Sequence, residues 1–161
     1  MFLINKGGCM EILHVCTGKS ILDWYDANPE RFVIDPGPKP WWHNKRFSKT
    51  RTQGSFTVPD EGNMLNVTRY KVMKEQMIFL PKGSVVPSAE EVVDLILGPS
   101  ENSCLLGEWT RTQTFFLLGR ARFVVCVGKT RNGLVDIYDY YAERRASPRV
   151  GILPIIKNSN V

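Results

Sequence analysis

The sequence predicts an α+β fold, antiparallel and β-rich, with one clear helix over residues 88–97 and long irregular loops. Three observations carry that prediction. A β-branched run at 122–127 and a second segment at 134–141 flank Asn132-Gly133, a dipeptide suited to a hairpin reversal. Ser88, with Glu91 three residues on and Val92, Leu95 and Ile96 on one face, opens a helix through a capping box, and Gly98-Pro99 closes it. No alternation of strand and helix units runs along the chain, which argues against a doubly wound parallel sheet.

The elements follow in chain order. Residues 10–15 and 31–34 read as short strands, with a helical turn at 20–25 between them. Asp35-Pro36-Gly37-Pro38-Lys39-Pro40 fixes too many φ angles and removes too many donors for helix or central strand, so it is a loop. A turn at 59–63, the apolar Met77-Ile78-Phe79-Leu80 and a loop at 81–87 lead to the helix. Glu90 and Glu91 lie in its first turn, where the helix dipole favours them, a structural role set ahead of acid/base catalysis. After the hairpin and a loop at 144–149, Gly151-Ile152-Leu153-Pro154-Ile155-Ile156 reads as a strand whose proline confines it to a sheet edge or a bulge.

A chain of 161 residues, 43% hydrophobic and 23% charged, reads as one domain over 1–161. That length buries ~70% of the surface an unfolded chain exposes, so the fold needs no staples. Cys9, Cys16, Cys104 and Cys126 form no C-x-x-C pair, and His14 and His43 are the chain's two histidines, so free, mostly buried thiols are expected and no metal or cofactor. The apolar start at residues 1–4 is too short for a signal-peptide core, and no stretch reaches the ~18 apolar residues of a membrane span. The expectation is a soluble chain with no membrane insertion, in which the Asn66-Val67-Thr68 sequon is a turn. The net charge of +5 favours acidic or polyanionic partners.

Catalytic motifs fail on spacing. Thr17-Gly18-Lys19-Ser20 matches the end of a phosphate-binding loop, but Leu13 stands where the motif needs a glycine. His14 and His43 have no nucleophile elbow nearby, and Asp23 with Asp26 falls short of a calcium loop. The segment 39–51 is the strongest local signal for a partner: Lys39, Lys45, Arg46, Lys49 and Arg51 are interleaved with Trp41, Trp42 and Phe47. Such a mixture tracks phosphates while stacking bases. The simpler reading makes the tryptophans core anchors and the cations a solvated or intersubunit face. Thr50-Arg51-Thr52-Gln53 recurs as Thr110-Arg111-Thr112-Gln113, too short to establish a repeat.

Phe79-Leu80-Pro81, Ser88-Ala89-Glu90-Glu91-Val92, Trp109-Thr110-Arg111-Thr112, the strand at 122–127, Tyr138-Asp139-Tyr140-Tyr141 and the segment 151–156 occur in an ordered set. Together they resemble the C-type-lectin-fold domains of bacterial and bacteriophage surface proteins, relatives in fold of the formylglycine-generating enzyme and of retroelement-diversified receptor-binding proteins. The resemblance covers residues 77–156; residues 1–76 match nothing and stand as an attachment arm or a divergent half of the same fold. Leu153 replaces the usual arginine before Pro154, and 81–87 looks like an insertion.

The resemblance implies that the last strand pairs back toward the N-terminus, that Trp109 is a largely buried core anchor with Arg111 as its hydrogen-bonding companion, and that Gly133, Gly151 and Pro154 are structural. The calcium-dependent sugar motifs and the enzyme's cysteine motif are absent from the sequence and do not carry over. The expected function is non-enzymatic: a structural or adhesive virion component, such as a head-fibre, tail or decoration protein. It would act through protein subunits, as a homo-oligomer or within a virion, or on a host-surface ligand. The alternative class is a small basic nucleic-acid-binding protein.

Overall fold

A computed structural model describes residues 2–6, 9–34, 37–59, 68, 70–99, 105, 107–141 and 150–158. The chain is an α+β protein built on two sheets. The first contains β1 (Phe2–Lys6), β2 (Cys9–Val15), β3 (Ser55–Val58) and β8 (Ile156–Lys157), in the order β1-β2-β3-β8 and antiparallel throughout. The second, ordered β6-β5-β4-β7, contains β4 (Glu108–Leu118), β5 (Ala121–Lys129), β6 (Val135–Tyr141) and β7 (Val150–Gly151). Its pairings are antiparallel except β4 with β7, which run parallel. The last strand does return to the N-terminal half, where Phe56 faces Lys157.

The helices are α1 (Ile21–Ala27), α2 (Met73–Ile78) and α3 (Ala89–Leu97). The predicted start at Ser88 with Glu91 holds as a complete capping box, and the helical turn expected at 20–25 is α1, opened by an unpredicted second complete box, Ser20 with Asp23. Gly98 caps the end of α3, donating its N–H to Asp94 O. One hydrophobic cluster draws Ile12, Phe56 and Leu153 from the N-terminal sheet side, Ile21 from α1, Val92 and Leu95 from α3, and Val125 and Val127 from β5. The two sheets and two of the helices therefore share a core.

Several expectations need correction. Residues 31–34 do not form a strand; Pro29–Arg31 is a 3-10 helix, because proline pre-sets φ at its first position, and Phe32 makes a single bridge to Val135. Besides the helix over 88–97 and the turn at 20–25, which is α1, there is an unforeseen helix, α2, too short for a long apolar period to show. The segment 151–156 is not one strand. β7 ends at Gly151, and Ile152 to Ile155 cross to β8, with Leu153 N donating to Thr110 Oγ1 at 2.8 Å and Ile155 exchanging both backbone bonds with Val85. Pro154, which has no N–H to satisfy, sits buried in that crossing.

The predicted hairpin is present, but its turn is not a two-residue reversal. Thr130 N bonds Leu134 O, Gly133 N bonds Thr130 O, and Gly133 has φ +84°. Asn132 keeps a negative φ, so one left-handed glycine closes a longer loop. The turn at 60–63 and the sequon residues 66 and 67 lie outside the described residues.

Candidate functional site

Two places gather chemistry-bearing side chains. The first is buried. Strand alternation turns Ile12 and His14 of β2 inward, and the buried face of α3 runs Val92, Val93, Asp94, Leu95. His14 and Asp94 meet there, both without solvent exposure, at 2.7 Å between Nε2 and Oδ2. An ionised carboxylate only accepts, so Nε2–H donates. Thr17 N donates to Oδ2, while Thr17 Oγ1 and Trp24 Nε1 donate to Oδ1. Burial pushes the Asp94 carboxyl up, but the bonds from His14, Thr17 and Trp24 outweigh it and hold it below the ordinary carboxylate range.

Cys16 lies beside this pair, and ligand atoms of His14, Cys16 and Asp94 fall within 4.8 Å of one another. No local pattern signals this meeting, because 80 positions separate His14 from Asp94. The arrangement is a clamp rather than a metal centre or a nucleophilic triad. Two N/O ligands on one tetrahedral zinc stand about 3.3 Å apart, whereas 2.7 Å is a hydrogen bond, and both Asp94 oxygens already take two donors. Burial and the Asp94 and Glu91 charges push the Cys16 thiol up to about 11, so it is no thiolate at neutral pH. Burial likewise pushes Cys126 up to about 12.

The second place is a surface groove. One end is a cleft of about 320 Å³ between the 3-10 helix Arg46–Lys49 and β4, lined by Lys45, Arg46, Phe47, Glu90, Phe115 and Phe116. A smaller cleft of about 200 Å³ adjoins it, with Arg51, Gln53, Gln113 and Lys157 on its walls. Both share Glu90, whose carboxyl is pushed up chiefly by burial. Gln53 and Gln113, the last residues of the two Thr-Arg-Thr-Gln tetrapeptides, face this same cleft.

The basic aromatic segment divides between packing and surface. Trp42 is buried among Tyr25 and Phe32, and half-buried Trp41 donates Nε1 to Ile137 O at 2.9 Å while packing on Phe47 and Phe116. Buried Trp42 offers no face to a base, and Trp41 is tied into the fold through its N–H and its two phenylalanine neighbours. Lys45 lies 5.0 Å over the Phe116 ring; Arg46 and Lys49 are exposed; Arg51 pairs with Asp23 at 2.9 Å.

The predicted core anchors exchange roles. Trp109 is half-buried, not a core centre: it lies flat on Gly128, where a Cβ would come within 2.5 Å of the indole, and Nε1 donates to Asp136 Oδ2 rather than to a carbonyl. Arg111 is the buried residue, and it is no companion of Trp109. Two positions along β4, it donates to Gln76 Oε1 at 2.7 Å and Lys71 O at 3.3 Å, with its guanidinium 5.2 Å over Tyr140. Gln76 Nε2 completes the link, donating to Thr68 O and Val150 O. Gly151 is buried in β7 opposite Thr110.

No protein family, curated protein or solved structure matches this chain. Among the described residues, no helix is long and apolar enough to cross a membrane.

Proposed function

We propose that the chain is a non-enzymatic assembly or adhesive domain with a C-type-lectin-like fold, serving as a bacteriophage virion component such as a head-fibre, tail or decoration protein. The fold reading is supported by the motif order in 77–156 and by β8 returning to β3. The N-terminal residues then fit a divergent half of the same fold better than a separate arm, since they share its core.

The observation that carries the functional reading is the tip of the β4–β5 hairpin. Phe115, Leu117 and Leu118 are 49%, 61% and 58% exposed, on a strand end that pairs only with β5 among the described residues. An exposed apolar strand end is a template for another chain, and proteins that do not use one blunt it. Buried His14 and Asp94 are meanwhile committed to hydrogen bonding each other, with half-buried Cys16 beside them.

Size-exclusion chromatography with light scattering, run with and without a single-stranded DNA oligomer, tests the reading. The expected result is a self-associated species whose mass the DNA leaves unchanged. A monomer that shifts mass with DNA contradicts it and favours the basic nucleic-acid-binding class.

A further inference from the structure

The groove between the Arg46–Lys49 turn and β4 has a charge and amide pattern that specifies an occupant. At its wider end Lys45 and Arg46 stand over an apolar floor of Phe47, Phe115 and Phe116. Among the described residues neither cation has a salt-bridge partner, in contrast to Arg51, held by Asp23 at 2.9 Å, and Lys157, held by Glu91 at 3.4 Å. Glu91 is further committed to the Ser88 capping box. Half-buried Glu90 lines both clefts, its carboxyl pushed up chiefly by burial, so at the wider end the two cations Lys45 and Arg46 outnumber a single carboxyl and leave that end net positive beside its aromatic floor.

The narrower end is different in chemistry. Gln53 and Gln113 are both exposed and both line it, one from the loop before β3 and one from β4. A primary amide offers a donor and an acceptor, the pair that a peptide unit requires. The wider cleft, about 320 Å³, is large enough for an aromatic or large aliphatic side chain.

We propose that this groove binds an extended, acidic segment of a protein partner, with one apolar side chain in the wider cleft, its neighbouring carboxylates at Lys45 and Arg46, and its backbone on Gln53 and Gln113. A second copy of the same basic face would bring like charges together, so charge complementarity selects an acidic partner. The inference rests on the assembly reading; the groove shares Phe115 with the hairpin tip, while Leu117 and Leu118 lie outside it and Lys45, Arg46, Gln53 and Gln113 belong to the groove alone.

The test uses a fluorescein-labelled peptide of sequence Glu-Asp-Phe-Asp-Glu, its Gln-Asn-Phe-Asn-Gln counterpart and a single-stranded DNA oligomer, each titrated by fluorescence anisotropy into the full chain. The acidic peptide is expected to bind and the amide counterpart to bind at least several-fold more weakly. In a K45E/R46E variant the acidic peptide should lose about tenfold or more in affinity, as expected for reversing two partly exposed charge contacts. A Q53A/Q113A variant should weaken both peptides alike. R31E, an exposed charge on the Pro29–Arg31 turn, should leave binding unchanged.

Circular dichroism on each variant establishes that it is folded. Absence of peptide binding to the unmodified chain, equal binding of the acidic and amide peptides, or full binding by folded K45E/R46E each overturns the proposal. So does displacement of the peptide by DNA with tighter binding of the DNA itself. Light scattering on the same samples separates the two readings: self-association without peptide binding removes the groove proposal and leaves the assembly reading standing.

Discussion

Asp94 is the residue on which the joint between β2 and α3 depends. It takes hydrogen bonds from His14, Thr17 and Trp24, drawn from β2, the following loop and α1. Replacing it with alanine strands a buried imidazole and should destabilise the fold by about 3–5 kcal/mol, read as a lower urea midpoint. The carboxyl is held below its ordinary range, so its ionised form is preferred in the folded state. Its stabilisation is complete above the unfolded value of about 3.9 and is lost as pH falls through the lower folded value. Urea midpoints of the unmodified chain should therefore fall steeply in that acidic window, and Asp94→Asn should flatten the fall. An unchanged slope in Asp94→Asn would place the acid sensitivity elsewhere. The clues in the sequence were an aspartate on the apolar face of a helix and a histidine at an inward strand position. Nothing in either pattern says that the two meet.

At the scale of the element, local chemistry was legible and long-range placement was not. Ser88 and Glu91 stated their helix start outright, because a capping box is complete within four residues. Ser88→Ala should cost about 1 kcal/mol in a denaturation midpoint. The hairpin was legible for the same reason, and Gly133→Val should cost about 1–2 kcal/mol, since a β-branched side chain at φ +84° is strained. Gly128 carried no such signal. A Cβ there would lie 2.3 Å from Glu108 O and 2.5 Å from the Trp109 ring, so Gly128→Ala should destabilise more than Gly133→Ala, by thermal melting. Trp109 was misplaced because its size suggests a core, whereas it rests half-buried against Gly128 of the neighbouring strand, beside Tyr138 and bonded to Asp136. Arg111 went the other way: a guanidinium is rarely buried unless paired, and its pairing with Gln76 depends on α2 packing against β4.

At the scale of the molecule, the two sheets, α1 and α3 close around one apolar cluster, which leaves the β4–β5 hairpin tip and the basic groove as outward features. The α+β class followed from the hairpin, the capped helix and the absence of alternating units. The closure of the first sheet by β8 was implied only through the resemblance, because a two-residue strand leaves no period to read. The most direct test of assembly through the hairpin is the molar mass of the unmodified chain and of an F115S/L117T/L118T variant, measured by light scattering over a range of protein concentrations. These exposed side chains leave the core untouched, so both proteins should melt alike. The unmodified chain should gain mass with concentration while the variant stays monomeric; equal masses at every concentration would contradict assembly through this tip.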